Sequence, residues 1–309
     1  DVTGKNAIAM GSSDDSGTHT AAKAKDAIAI GTATVTSAEG ATAIGKKAAA
    51  SGDSSIALGS NTQATKGSSL AIGNTTTATG VSAAALGPNS NAVKDYDVAL
   101  GSSVNASGSG SAAVGYLVNT TGNQAFGAGS NTTVSGPAAV GIGYKSEATG
   151  NRAVALGSEL SGTENGATAD YAIAVGAGAR GTAESATAIG KQAAASKDNA
   201  IAFGTSAAAS ESNAVAIGKN TTASGLASVA IGGETNATDA AKATGARAIA
   251  VGAKSAASGQ SAIALGDTAV ASGLNGVALG VETSASKDSA VAIGTKTVSY
   301  THLTLPTTE

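Results

Sequence analysis

Few side chains in this sequence could do chemistry. Histidine occurs only at His19 and His302, and cysteine is absent. Neither histidine has a second His or a Cys at a metal-ligand spacing, so no zinc-type set forms. Carboxylates come together at Asp14-Asp15 and at Glu164 with Asp170. Such pairs bind Ca²⁺ or share acid–base work, but the Asp-x-Asp-x-Asp-Gly spacing of a calcium loop is missing. Serine is abundant, yet none is accompanied by a base and an orienting acid. Gly108-Ser109-Gly110 and Gly127-Ala128-Gly129 look like phosphate-binding glycine strings, but no helical pattern follows either one. Sequons at Asn74, Asn105, Asn119, Asn131, Asn220 and Asn236 arise by chance in a chain so rich in Asn, Ser and Thr. The expectation is a non-enzymatic protein with no catalytic residues, no metal site and no cofactor.

What organises the chain is a phrase, Ala27-Ile28-Ala29-Ile30-Gly31. It returns as Ser55-Ile56-Ala57-Leu58-Gly59, Ala200-Ile201-Ala202-Phe203-Gly204 and Ala290-Val291-Ala292-Ile293-Gly294. Its closing glycine recurs 20 times between Gly11 and Gly294, and 16 of the 19 intervals are 14 residues long. The other three intervals, of 20, 19 and 20 residues, hold polar insertions within Ser12–Asp26, Ser158–Asp170 and Gly233–Arg247. A register this tight is one structural unit stacked many times. It overrides the two-domain prior that a length of 309 residues would otherwise give.

Composition agrees. Forty-three glycines with only two Phe, five Tyr and no Trp leave a narrow interior filled by short residues. A net charge of −3 gives no basic footprint for nucleic acid or for an anionic membrane surface. No apolar run approaches the roughly 18 residues of a membrane helix. The chain opens in mid-repeat at Asp1 without Met, and we expect it to be a piece of a longer protein.

The position before the glycine is large and apolar in 19 of 20 copies, Ala128 being the exception. Three before the glycine sits a second apolar position, with departures at Thr42, Ala84, Ala112 and Thr187. Between them lies Ala in 18 copies and Gly in two, Gly127 and Gly141. Period-two alternation is a strand with two unlike faces. The sequence reading puts the large residues inside as the filling of each coil. It turns the strict Ala row against something that comes very close, so Ala29, Ala57, Ala71, Ala174, Ala202, Ala216, Ala264 and Ala292 become candidates for a self-association interface.

The second half of each unit, as in Lys46-Lys47-Ala48-Ala49-Ala50-Ser51-Gly52, is a half-buried strand with a wet outer face. Its seventh position, often Gly (Gly52, Gly80, Gly108), is expected to need positive φ in a tight turn. Elsewhere the turn is Lys-Asp, as at Lys94-Asp95, Lys197-Asp198 and Lys287-Asp288. One unit is strand, turn, strand, turn, and about 20 such coils at roughly 4.8 Å each would make a rod on the order of 90–100 Å long. After Gly294 the pattern stops. The tail Tyr300–Glu309 carries Pro306 and none of the small residues, and is expected to be foreign to the repeat.

A 14-residue unit of the form AIAIGxxAxAxGxx over residues 1–299 closely resembles the head domain of YadA-like trimeric autotransporter adhesins of Gram-negative bacteria. The resemblance implies an all-β, left-handed parallel β-roll or β-solenoid of 14-residue coils that is homotrimeric. It also implies display at the bacterial surface by an outer-membrane anchor that this fragment lacks, autoagglutination, and attachment to host cells or extracellular-matrix proteins such as collagen. In that family an NSVAIG-type phrase is implicated in collagen binding. Its nearest copy here is Asn213-Ala214-Val215-Ala216-Ile217-Gly218, where Ala214 replaces Ser. The competing reading is an ice-binding or purely structural solenoid spacer, for which Thr32-x-Thr34 and Thr75-x-Thr77 fall out of register. A hexapeptide-repeat acyltransferase is set aside because the period is 14 and no histidine recurs with it.

Overall fold

The glycine that ends each phrase is where the chain turns a corner no other residue could turn. Gly59 has φ +127°, and a Cβ placed there would lie 1.7 Å from the carbonyl oxygen of Gly73 in the next turn. Both the dihedral and the close approach exclude a side chain. The computed structural model describes residues 1–163 and 165–299, and among these there is no helix. Glu164 and the expected foreign tail 300–309, with His302, lie outside the described residues.

The chain divides into two units, each a parallel β-solenoid. In the first, residues 1–152, ten strands from Ile8–Met10 to Val140–Tyr144 stack into one sheet. Ten shorter strands from Ala21–Ala22 to Ser146–Ala148 stack into a second. The second unit repeats the plan, with ten strands from Val154–Leu156 to Val291–Ile293 and ten from Asn165–Ala167 to Val298–Ser299. Ile28 lies opposite Thr42 and Thr42 opposite Ile56, each pair 14 residues apart. The insertions leave this register intact, since Ile8 meets Ile28, Val154 meets Ile173 and Val229 meets Ile249. The ladder bonds run from turn to turn, as in Thr42 N–H to Ser55 O at 2.9 Å. A single turn has no partner for its backbone, so stability comes from stacking.

The interior corrects the sequence reading of the two faces. Ala29, Ala43, Ala57 and Ala71 are fully buried, while the large residues beside them point outward. Within each unit these alanines cluster with those of the second sheet, such as Ala50, Ala64 and Ala209. A turn of two short strands encloses a space one methyl deep from each side, so it excludes the very residues that would normally fill a core.

The two exceptional glycines follow from the same limit. Where the second sheet offers Thr120 and Val134 in place of Ala, the facing positions are Gly127 and Gly141. A Cβ on Gly127 would sit 2.3 Å from Thr120 Oγ1, and one on Gly141 would sit 2.6 Å from Val134 Cγ2. At these two turns side-chain volume is exchanged between the sheets, whereas Thr36 replaces Ala in the second sheet with Ala43 kept in the first.

The seventh-position glycines also differ from expectation. Gly52, Gly80 and Gly108 do not have positive φ. They are glycine because a Cβ on Gly52 would lie 2.0 Å from the backbone of Lys66. Positive φ falls instead on two polar positions per turn, for example Lys47 and Ser54, then Asn61 and Ser68. In the Lys-Asp version of the turn, Asp95 Oδ1 accepts from Val81 N–H at 2.8 Å and Asp288 Oδ1 from Leu274 N–H at 3.0 Å. Each aspartate ties its turn to the one before.

Several polar groups inside are matched to backbone, while the buried hydroxyls of Thr120 and Thr297 have no partner among the described residues. Thr76 and Thr132 hydroxyls donate to Gly87 O and Gly143 O at 2.6 Å, and Asn165 Nδ2 does the same for Gly176 O at 2.8 Å. These donors satisfy the carbonyl of the corner glycine in the following turn. Asp97, fully buried, accepts from Lys94 N–H at 2.8 Å and from the N–H and Oγ–H of Ser111 at 2.9 Å. Its carboxylate serves the backbone, as Ser55 and Ser228 do elsewhere by accepting from Gly52 and Gly225 N–H.

Candidate interaction surface

The alternation that buries alanine forces its neighbours onto the outer face of the first sheet. Two columns of large apolar side chains therefore run up that face in each unit. Ile44 and Ile142 are 40% exposed in the first unit, and Phe203 is 53% and Ile217 37% exposed in the second. Others, such as Ile28, Ile30, Leu70 and Val215, are half-buried, each shielded by the equivalent residue one turn above and below. Isolated exposed apolar residues are ordinary, but an ordered column of them is a feature that calls for an explanation.

The residues proposed from sequence as interface sit elsewhere. Ala29, Ala57, Ala71, Ala174, Ala202, Ala216 and Ala264 have no exposed surface, and Ala292 is 3% exposed. They face the opposite sheet of their own chain and cannot reach a second one. The crowding inferred for this row is real, but its source is internal.

The phrase Asn213–Gly218 splits the same way. Ala214 and Ala216 are buried, Val215 and Gly218 are half-buried, and Asn213 and Ile217 are exposed. Asn213 occupies a left-handed turn position with φ 58°, which asparagine tolerates better than most residues. A ligand would meet this phrase chiefly through the Asn213 and Ile217 side chains, with Val215 half-exposed beside them.

The second sheet turns a different surface outward. Thr77, Asn91, Asn105, Asn119 and Thr133 stand opposite one another in successive turns. Thr77 Oγ1 donates to Asn91 Oδ1 at 2.5 Å, and Asn105 Nδ2 to Asn119 Oδ1 at 2.8 Å. Sequence reading noticed Asn105 and Asn119 only as sequons. Their 14-residue spacing was the signal that they belong to one ladder.

The remaining candidates do not assemble into chemistry. His19 is exposed in the first insertion. Asp14 is committed to its loop: Oδ1 accepts from Ser16 Oγ at 2.6 Å and Thr18 N–H at 3.0 Å, and Oδ2 lies 3.1 Å from Lys47 Nζ. The bond from Ser16, the Lys47 ammonium and the Thr18 amide hold its carboxyl well below the usual carboxylate range. Asp15 beside it is exposed. In the second insertion Leu160 and Thr163 form an antiparallel bridge, short of Asp170. The third insertion borders a shallow depression where Glu234, Asp239 and Asp267 surround Lys254, whose Nζ lies 3.4 Å from Asp239 Oδ1. Among the described residues no group of three His, Cys, Asp or Glu side chains is placed to hold a metal ion. Thr34, one of the threonines weighed for ice binding, is buried and donates to Gly45 O.

Comparison with known proteins agrees with this geometry. The family model described as YadA head domain repeat (2 copies) matches residues 22–48, 50–76, 78–103, 135–159, 182–207, 209–237, 239–255, 243–269, 257–283 and 271–297. No curated protein matches the chain. The matched segments cover more than half of the sequence and run through both solenoid units, so the chain belongs to the YadA head-repeat family.

Proposed function

We propose that this chain is the head of a bacterial surface adhesin that works as a homotrimer of left-handed, 14-residue coils. The observation that carries the reading is the pair of apolar columns left outside by the first sheet. Completing the burial of one half-exposed Ile or Val is worth about 1 kcal/mol. Two columns over the ten turns of a unit then exceed the roughly 4–15 kcal/mol of freedom lost on association. Three copies joined along this face would leave the second sheet and its polar ladder outward.

That outward surface is the proposed adhesive one. Repeated hydroxyl and amide groups offer many weak, similar contacts, and a trimer multiplies them. The proposed partners are host cells, extracellular-matrix proteins such as collagen, and other heads of the same kind in autoagglutination. Asn213 would contribute as one exposed point in a long array, whereas Ile217 stands in an apolar column that the trimer would cover.

Light scattering on the purified chain tests the assembly, with three times the chain mass of 28.8 kDa expected. Adsorption to immobilised collagen and to host cells tests adhesion. Monomeric behaviour at micromolar concentration would remove the trimer. A trimer that bound neither matrix, cells nor itself would remove the adhesive role.

A further inference from the structure

One turn of the first unit breaks the pattern of the outer face. Phe126 replaces the usual Val or Ile in one column, and Ala128 replaces the large residue in the other. The strands Ala112–Tyr116, Phe126–Ser130 and Val140–Tyr144, like Val98–Ser102 before them, are five residues long and run one residue past the corner glycine. Tyr116, Ser130 and Tyr144 thereby extend the ladder just past the corner as a third column bordering the face, in register with one another. The result is a grid of three strands by three outward side chains. Its middle strand reads Phe, Ala, Ser between Ala112, Val114, Tyr116 on one side and Val140, Ile142, Tyr144 on the other.

This grid has a relief. Ala128 and Ser130 floor a trough one strand wide, walled by Val114 and Tyr116 on one side and Ile142 and Tyr144 on the other. Phe126 stands at the trough's head, 37% exposed, and the two tyrosines are 52% and 48% exposed. Bump and hollow lie in the same turn, so they stand at the same height along the stack but at opposite edges of the face. A second copy of this chain, running parallel and in register, brings its Phe126 level with that trough. An unrelated partner would meet only an uneven spot on an otherwise regular surface.

We propose that the turn Phe126–Ser130 is a register key for self-association. Phe126 of each copy seats over Ala128 and Ser130 of the next, between Tyr116 and Tyr144. This inference depends on the self-association proposed above. It addresses a problem that repetition creates: the column that holds Ala128 is large and apolar in all other turns, and its neighbour departs from that only at Thr42, Ala84, Ala112 and Thr187, so two copies shifted by one turn would bury a similar apolar surface. A bump matched to a hollow of the same turn penalises that slip. Because the contact joins opposite edges of the face, it closes by rotation rather than by overlaying like on like.

The chain has no cysteine, so single cysteines report neighbours cleanly. Mixing Ile56→Cys with Leu58→Cys chains probes in-register neighbours, and mixing Ile56→Cys with Ile44→Cys probes a shift of one turn. In the otherwise native chain the first mixture should cross-link at least ten-fold more than the second. Adding Phe126→Val with Ala128→Ile, which makes the turn ordinary, should keep the assembled mass yet bring the shifted cross-link to a comparable yield. A double variant that stays assembled and still cross-links only in register would overturn the key while leaving self-association standing. A native chain that is monomeric by light scattering would overturn both.

Discussion

At the scale of single residues the molecule is governed by how little room each turn contains. Gly141 and Val134 share one space, so Gly141→Ala should destabilise by roughly 1–3 kcal/mol through overpacking. Adding Val134→Ala should recover most of that loss, and a double-mutant cycle on thermal unfolding measures the coupling. Ala216→Leu meets the same limit, because its methyl faces the opposite sheet and has no surface outside. A similar destabilisation is expected even where the chain is kept dilute, and an unchanged melting temperature would contradict the interior placement. Asp14 behaves differently. Its pKa in the folded loop lies below the ordinary value, so its contribution is present above about pH 4 and is lost as pH falls below that. Hydrogen exchange at the Ser16 and Thr18 amides, both of which bond to Asp14 Oδ1, should speed up on acidification beyond the intrinsic pH trend. Asp14→Asn should remove most of that difference.

At the scale of the element, a turn is a complete module. Removing residues 45–58 joins Ile44 to Gly59 and leaves one fewer turn with both sheets in register, so circular dichroism should retain its β signal and a cooperative melt. Removing only residues 45–51 deletes the second-sheet strand Ala49–Ala50, would bring the first-sheet strand Ile56–Leu58 into a second-sheet slot, and should abolish cooperative unfolding. Much of this module was legible in the sequence, since the glycine spacing and period-two alternation place both strands and the corner between them. The direction of the faces was not. Alternation says that two faces differ, and a core of Ile and Val is the usual inference. The scarcity of aromatics pointed to a narrow interior, but the width that admits only a methyl comes from the close approach of the two sheets. Gly127 and Gly141 carried the decisive hint, because each is small only where Thr120 or Val134 across the turn is large. The seventh-position glycines misled for a related reason: sequence shows that Cβ is excluded, but not whether a dihedral or a neighbouring backbone excludes it.

At the scale of the whole molecule, the proposal ties stability to concentration. If the apolar columns are covered by further copies, the melting temperature should rise with protein concentration, as it does when association stabilises the folded chain. A melting temperature constant over a hundred-fold dilution range would argue that the columns remain in water. Family membership was within reach of the sequence, whereas the outward columns and the uneven turn at Phe126 gained meaning only once the alanine row was seen to lie inside. The uniformity of the turns also has a consequence for the gene. Outside the three insertions each turn is a cassette of 14 codons, and misaligned recombination between such cassettes would lengthen or shorten the protein by whole turns without disturbing either face. A change of length made this way would shift the turn at Phe126 and Ala128 along the chain without altering it.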